Sequence, residues 1–205
     1  YRPELLTNNS EQGKKVLSTI IRELEQCDEF WFSVAFVTTG GIAALMNTLI
    51  DLEKKKIKGK ILASQYLNFT HPEALRRIKQ FKNIELRIAT EGNFHSKGYL
   101  FRKGNVFDLI IGSSNLTQTA LSTNKEWNLK VSAHSNSSIV NSVINEFDKD
   151  FEKGVPVISG TTGWLSEMES IKTLCNTQNG AFIYASNFSL GVNIFFELNK
   201  YLAKM

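Results

Sequence analysis

The chain has 205 residues, with 24 lysines and arginines against 20 acidic residues (net charge +4), 42% hydrophobic and 21% charged. That length suits one α/β domain with a proper core and a small appendage, and the composition is that of a folded globular protein. No run of about 18 apolar residues occurs, which argues against a transmembrane helix and against a membrane partner. Cys27 and Cys175 stand far apart and match no zinc or redox spacing, so two reduced thiols in a cytoplasmic protein are expected. The positive balance mildly favours an anionic partner such as nucleic acid. The chain opens at Tyr1 rather than Met and reads as a fragment whose true start has been lost.

In chain order, residues 10–27 space Val16, Leu17, Ile20, Ile21 and Leu24 as a helix, with Ser10 as its cap. The apolar run FWFSVAFV (30–37) suits a strand buried on both faces of a sheet. Gly40 and Gly41 turn the chain into a helix to about Lys55 with Leu45, Leu49 and Leu52 as its stripe. The lysine-rich stretch 53–60 is read as a solvated helix end, where cations complement the helix dipole, ahead of a phosphate-contacting edge. A strand over 60–66 follows, then a helix over 71–81 capped by Thr70 with Pro72 in its first turn, then a strand over 84–89. This alternation implies a parallel sheet covered by helices.

After residues 90–93 the rhythm changes. Strand-like stretches fall at 95–101, 106–112 and 126–132, the first two joined through Lys103-Gly104-Asn105 as a hairpin, with a short turn at 116–121. A long helix over 137–151 closes the unit. Residues 155–163 read as a linker, Trp164 to Leu174 as a helix, and 188–205 as an amphipathic run. The expected division is therefore residues 1–153 as one domain and 154–205 as linker and C-terminal extension, possibly opening a following domain.

The chemistry gathers between Phe94 and Trp127. Alternate strand residues share a face, so His95 and Lys97 are expected side by side. A neutral imidazole beside an ammonium, with an amide and hydroxyls from a neighbouring turn, suits attack on a phosphate ester. Trp31 and Trp127 are expected in the core rather than as base-stacking platforms. Ser33 and Ser64, at strand ends, either line the cleft or pack, and His71 and His134 are expected on the surface. No cluster with metal-ligand spacing is present.

His-x-Lys followed by Gly-Ser-x-Asn, here His95, Lys97, Gly112, Ser113 and Asn115, resembles the signature of the phospholipase D superfamily. The aspartate usual five residues after the lysine is replaced by Arg102, and Asp108 is out of register. Glu126 falls where the nuclease branch places a supporting glutamate, so the chain is more similar to the metal-independent restriction endonucleases of the superfamily than to its lipid hydrolases. The stretches FWFSVAFVTTGG, GKILASQYLNFT, FHSKGYLF, IIGSSNLTQTAL and NKEWNLKV also resemble a phospholipase-D-like domain at the N-terminus of some bacterial DEAD/DEAH-box helicase-like proteins.

The resemblance implies an α/β fold, a mixed β-sheet flanked by helices. It implies a nucleic-acid phosphodiesterase without cofactor or metal, DNA being favoured over RNA. His95 would be the nucleophile, Lys97 and Asn115 would bind nonbridging oxygens with Ser113 or Ser114, and Glu126 would orient His95. Such enzymes use two motifs around one site and this chain has one, so a homodimer with the site at its twofold interface is implied, alongside a fused or partner helicase. The rival reading is a non-catalytic module that binds nucleic acid or positions a helicase, with Arg102 in its favour; a lipid phosphodiesterase ranks last.

Overall fold

The computed structural model describes residues 3–64, 69–89, 94–153 and 168–177, with residues 194, 197, 199 and 200. The chain divides into compact units at residues 1–153 and 154–205. In the first unit β1 (Glu4–Leu6), α1 (Val16–Gln26), β2 (Glu29–Val34), α2 (Thr39–Lys54), β3 (Lys58–Ser64), α3 (Pro72–Ile78) and β4 (Ile84–Ala89) come first. They are followed by β5 (Lys97–Lys103), β6 (Val106–Gly112), α4 (Gln118–Ser122), β7 (Asn128–His134) and α5 (Ser138–Glu152). In the second unit α6 spans Met168–Thr177; the expected start of that helix at Trp164 and the expected linker lie outside the described residues, as does most of the run 188–205.

The seven strands form one mixed sheet in the order β1-β7-β6-β5-β2-β3-β4. Strands β2, β3 and β4 run parallel, as helical crossovers require, while β5, β6, β7 and β1 pair antiparallel. The continuous apolar run of β2 has a simple cause. Phe30, Phe32 and Val34 join the core beneath α1 to α4, and Trp31 joins a second core beneath α5. Buried on both faces, β2 cannot alternate with polar residues. Its rings pack edge-on, Phe32 lying 4.9 Å from Tyr99.

Several expected caps are corrected. Helix α1 starts at Val16, not near Ser10, and its first amide donates to Asn8 Oδ1 at 2.9 Å. Asn8 Nδ2 in turn donates to Ala120 O, so one side chain joins the start of α1 to α4. Thr70 does not cap α3; its hydroxyl donates to Ser64 O and accepts from Val37 N, and His71 holds the cap position. The strand β1 escapes sequence reading because three residues carry no period; it exists through its pairing with β7. The hairpin at Lys103 is as expected, with Gly104 at φ +56°, a left-handed turn position that favours glycine. The lysine-rich stretch ends α2, with Lys54 in its last turn and ion-paired to Asp51.

Beneath α1 lies a buried ion network. Glu23 is 1% exposed and Asp108 5%. Lys130 donates to Glu23 at 2.6 Å, Lys103 bonds Glu23 and reaches Asp108 at 3.0 Å, and Ser132 donates to Asp108. Burial alone would raise the Glu23 carboxyl; the hydrogen bonds from Lys103, Lys130 and Arg22 outweigh it and hold it below the usual range. Asp108 is held low in the same way, against burial, by Ser132 and the two lysines. Carboxyls with lowered folded values stabilise the fold above their unfolded pKa, near ~4, and that stabilisation is lost as pH falls through the folded values. Thermal melts between pH 7 and pH 2 should therefore show a steep acid limb. Glu23→Gln should flatten that limb and cost up to about 3 kcal/mol at pH 7, because two partly buried lysines lose a charged partner. A variant that melts like wild type at pH 7 would remove the network from the energetics of the fold.

Candidate active site

Register brings one end of four strands together. Lys97 opens β5 opposite Val34, Gly98 lies opposite Ile111, and Gly112 closes β6 opposite Asn128. Residues just outside these ends therefore meet: Ala35 and Phe36 after β2, His95 before β5, the turn Ser113–Asn115 after β6, and Glu126 before β7. Gly112 is required there, since a Cβ would stand 2.2 Å from Trp127 O.

His95 precedes the strand rather than lying in it, yet it meets Lys97 as expected. Lys97 Nζ is 2.8 Å from His95 Nδ1 and donates to His95 O at 2.7 Å. Nζ is also 3.3 Å from His95 Nε2, and an ammonium can only donate, so it is placed to serve whichever ring nitrogen carries a lone pair. Burial lowers the Lys97 ammonium from its ordinary value, and the Glu126 charge opposes that shift only in part.

Asn115 is nearly buried, and its Oδ1 accepts from Phe36 N at 3.2 Å. With the oxygen committed, the group it can offer a phosphate is its Nδ2 donor pair. Ser113 is exposed; its amide donates to Trp127 O at 3.1 Å and its hydroxyl donates to the Glu126 carboxylate. Glu126, expected to orient His95, is thus placed on Ser113, with its charge felt at Lys97. The expected hydroxyl contact of Ser114 to phosphate is corrected: the side chain is fully buried, donating to Ala120 O and accepting from Asn128 Nδ2 at 2.9 Å.

Two residues that hold this turn were not singled out in the sequence. Tyr99, 1% exposed, donates its hydroxyl to Ser114 O at 2.9 Å, and burial raises its pKa so far that it stays a neutral donor. Asn128, 2% exposed, accepts from Ser114 N at 3.3 Å while donating to the Ser114 hydroxyl. The available signal was alternation: Tyr99 follows Lys97 by two residues, and Asn128 is a polar residue opening an otherwise strand-like run.

The remaining expectations divide. Trp31 is buried against Phe107, but Trp127 is 74% exposed, which corrects its placement in the core. It sits one residue ahead of β7. Ser33 lines a cavity of about 370 Å³ with Lys97, Gly98 and Phe147, while Ser64 is buried and donates to Ala35 O at 2.7 Å. His71 and His134 are exposed as expected. Arg102 ends β5 at the opposite edge, bonded to Glu29 at 3.0 Å. It lies five residue steps of strand from Lys97, roughly 17 Å, so it does not enter the site. Among the described residues no group of three potential metal ligands is assembled, and no helix is long and apolar enough to cross a membrane.

A family model described as cardiolipin synthase, PLD-like domain, matches residues 20–153. The fold is similar to Nuc of Salmonella typhimurium, a phospholipase D family member, at 18% identity and TM-score 0.58, covering 75% of this chain and 97% of that one. It is also similar to NucT from Helicobacter pylori, at 17% identity and TM-score 0.57, covering 74% of this chain and 96% of that one. A curated protein of Christiangramia forsetii named 4-hydroxy-tetrahydrodipicolinate reductase is 37% identical over 114 residues, 47% of this chain and 48% of that protein. The chain thus spans about half the length of that relative.

The turn that carries Ser113 and Asn115 depends on Asn128. Asn128→Ala should leave the buried Ser114 amide and hydroxyl without that partner, costing about 1–3 kcal/mol. Thermal melts measure the loss, and faster hydrogen exchange at the Ser114 amide locates it; unchanged exchange there would assign the turn to other supports.

Proposed function

The chain belongs to the PLD-like domain family, and from that premise we propose that it is a metal-independent phosphodiesterase acting on nucleic acid through His95. The observation that carries this reading is the Lys97–His95 contact beside the Ser113–Asn115 turn, an imidazole and an ammonium next to further donors for a phosphate.

In this reading a ring nitrogen of His95 attacks phosphorus, a P–N bond forms, and the P–O bond to the leaving oxygen breaks. That oxygen takes a proton from a second histidine. Water then attacks phosphorus, the P–N bond breaks, and the displaced proton passes to the base, restoring the neutral ring. Lys97 and the Asn115 amide nitrogen stabilise charge on the nonbridging oxygens, joined by the Ser113 hydroxyl when it turns its one proton from Glu126 to the phosphate. Glu126 holds the Ser113 hydroxyl and favours the charged state of Lys97. The second His-x-Lys comes from a second copy in a twofold homodimer, and the chain works as the nuclease module of a larger cytoplasmic helicase or restriction-type protein, on DNA before RNA. The non-catalytic rival leaned on Arg102, which stands at the far end of β5 paired with Glu29.

Cleavage of DNA in EDTA is the test. Wild type should cut, His95→Ala should lose at least about 10³-fold, and Lys97→Ala or Asn115→Ala about 10²–10³-fold, the usual cost of one charge-stabilising donor. Acid-labile phosphate bound to His95 should be trapped in single turnovers. A well-folded dimer that cuts nothing with or without metal would overturn the enzyme reading. The pH profile supplies an independent check. Lys97 acts as an ammonium and its pKa is lowered, so activity should fall as pH rises through a value below the ordinary lysine range. Lys97→Arg, where the charge persists, should move that alkaline limb upward in whatever activity remains.

A further inference from the structure

Beside the phosphate-binding turn stands an aromatic pair that the chemistry above does not use. Phe36 and Phe69 have ring centroids 5.4 Å apart at 46°, and Phe69 is 53% exposed while Phe36 is half-buried. Neither ring joins the two cores of the sheet. A large apolar ring left in water forgoes about 1.5–3 kcal/mol of burial, so two of them held together at one spot call for an occupant.

Their backbone is tied to the site from both sides. Phe36 N donates to Asn115 Oδ1, the residue whose amide is offered to phosphate. Ala35 O accepts from the Ser64 hydroxyl, which also reaches Phe94 O at 3.4 Å, next to His95. Phe69 is fixed by its neighbours: the Thr70 hydroxyl bonds Ser64 O and Val37 N, and His71 N donates to Val37 O at 2.9 Å. The backbone that carries both rings is thus tied to the residues bordering the phosphate pocket, Asn115 on one side and Phe94, next to His95, on the other.

We propose that Phe36 and Phe69 form a stacking platform for the nucleobase next to the scissile phosphate, making single-stranded nucleic acid the substrate. The proposal rests on the phosphodiesterase reading and adds to it the strandedness of the substrate. Bases in a duplex already stack on one another and offer no free face, whereas an unpaired base can lie on a ring; such stacking tolerates any base. The net charge of +4 suits the polyanion that would carry that base.

The experiment measures binding of a fluorescent oligothymidylate, and of an abasic sugar-phosphate oligomer of equal length, to the full chain carrying His95→Ala. Adding Phe69→Ala should weaken oligothymidylate about tenfold, within the range found for stacked bases. Abasic binding should be unchanged, and Phe69→Trp should restore the affinity. Equal loss on both oligomers, or no loss on either, overturns the platform while leaving phosphate binding in place. Failure of wild type and His95→Ala to bind either oligomer overturns the phosphodiesterase reading and the platform together. Loss of the dimer in Phe69→Ala without loss of base preference reassigns the rings to a contact between copies.

Discussion

The antiparallel pairing of β5 with β2 is the constraint on which the rest depends. On one side of that seam the sheet is parallel and built from helical crossovers; on the other it is a meander of β5, β6 and β7. The seam sets Lys97 opposite Val34, and the β5–β6 register then sets Gly112 beside the start of β5. A one-residue slip would turn Lys97 to the other face and bring Gly98 to its place. The buried rings Phe30, Phe32, Tyr99 and Phe101, which fit only in the observed register, oppose such a slip. Core packing and site geometry are therefore one specification.

From that seam the site is made rigid by neutral hydrogen bonds and tuned by few charges. Tyr99 and Asn128 grip Ser114 from beneath, so the turn holding Ser113 and Asn115 does not have to order itself when an anion arrives. Preorganised donors are what stabilise charge in a transition state, because no reorganisation is needed at the moment of reaction. The strongest charge cluster, Glu23 with Lys103, Lys130 and Asp108, lies beneath α1, where it fixes the β5–β6–β7 meander and consumes its own cations.

Much of this was legible in the sequence. The helix and strand order, the mixed sheet and the meeting of His95 with Lys97 follow from local periodicity and from strand alternation. What stayed hidden was non-local. Asn8 caps a helix eight residues away, and Thr70 spends its hydroxyl on another strand's carbonyl instead of the helix it precedes. Ser114 looks equivalent to Ser113 in the string, yet consecutive residues of a turn point opposite ways, and one lands in the core. The preference of large aromatics for the interior does not hold for Trp127, which lies just ahead of β7 and is exposed. Arg102 shows the converse. Counting from a motif suggested a damaged site, whereas the strand carries that position to the far edge, where Glu29 is its partner.

On the proposed reading the Lys97–His95 contact has a further physical meaning. Half-buried beside the His95 ring, the ammonium is less well solvated than in water, which is why its pKa is lowered. A doubly contacted phosphate oxygen carries the negative charge that the imidazole lacks, so an entering phosphodiester competes effectively for the lysine. Transfer of Nζ from the ring to a nonbridging oxygen would release the lone pair of His95 as the electrophile becomes polarised. The same movement that binds the substrate would thus uncover the nucleophile, and it requires no change in the backbone that the β2–β5 seam holds in place.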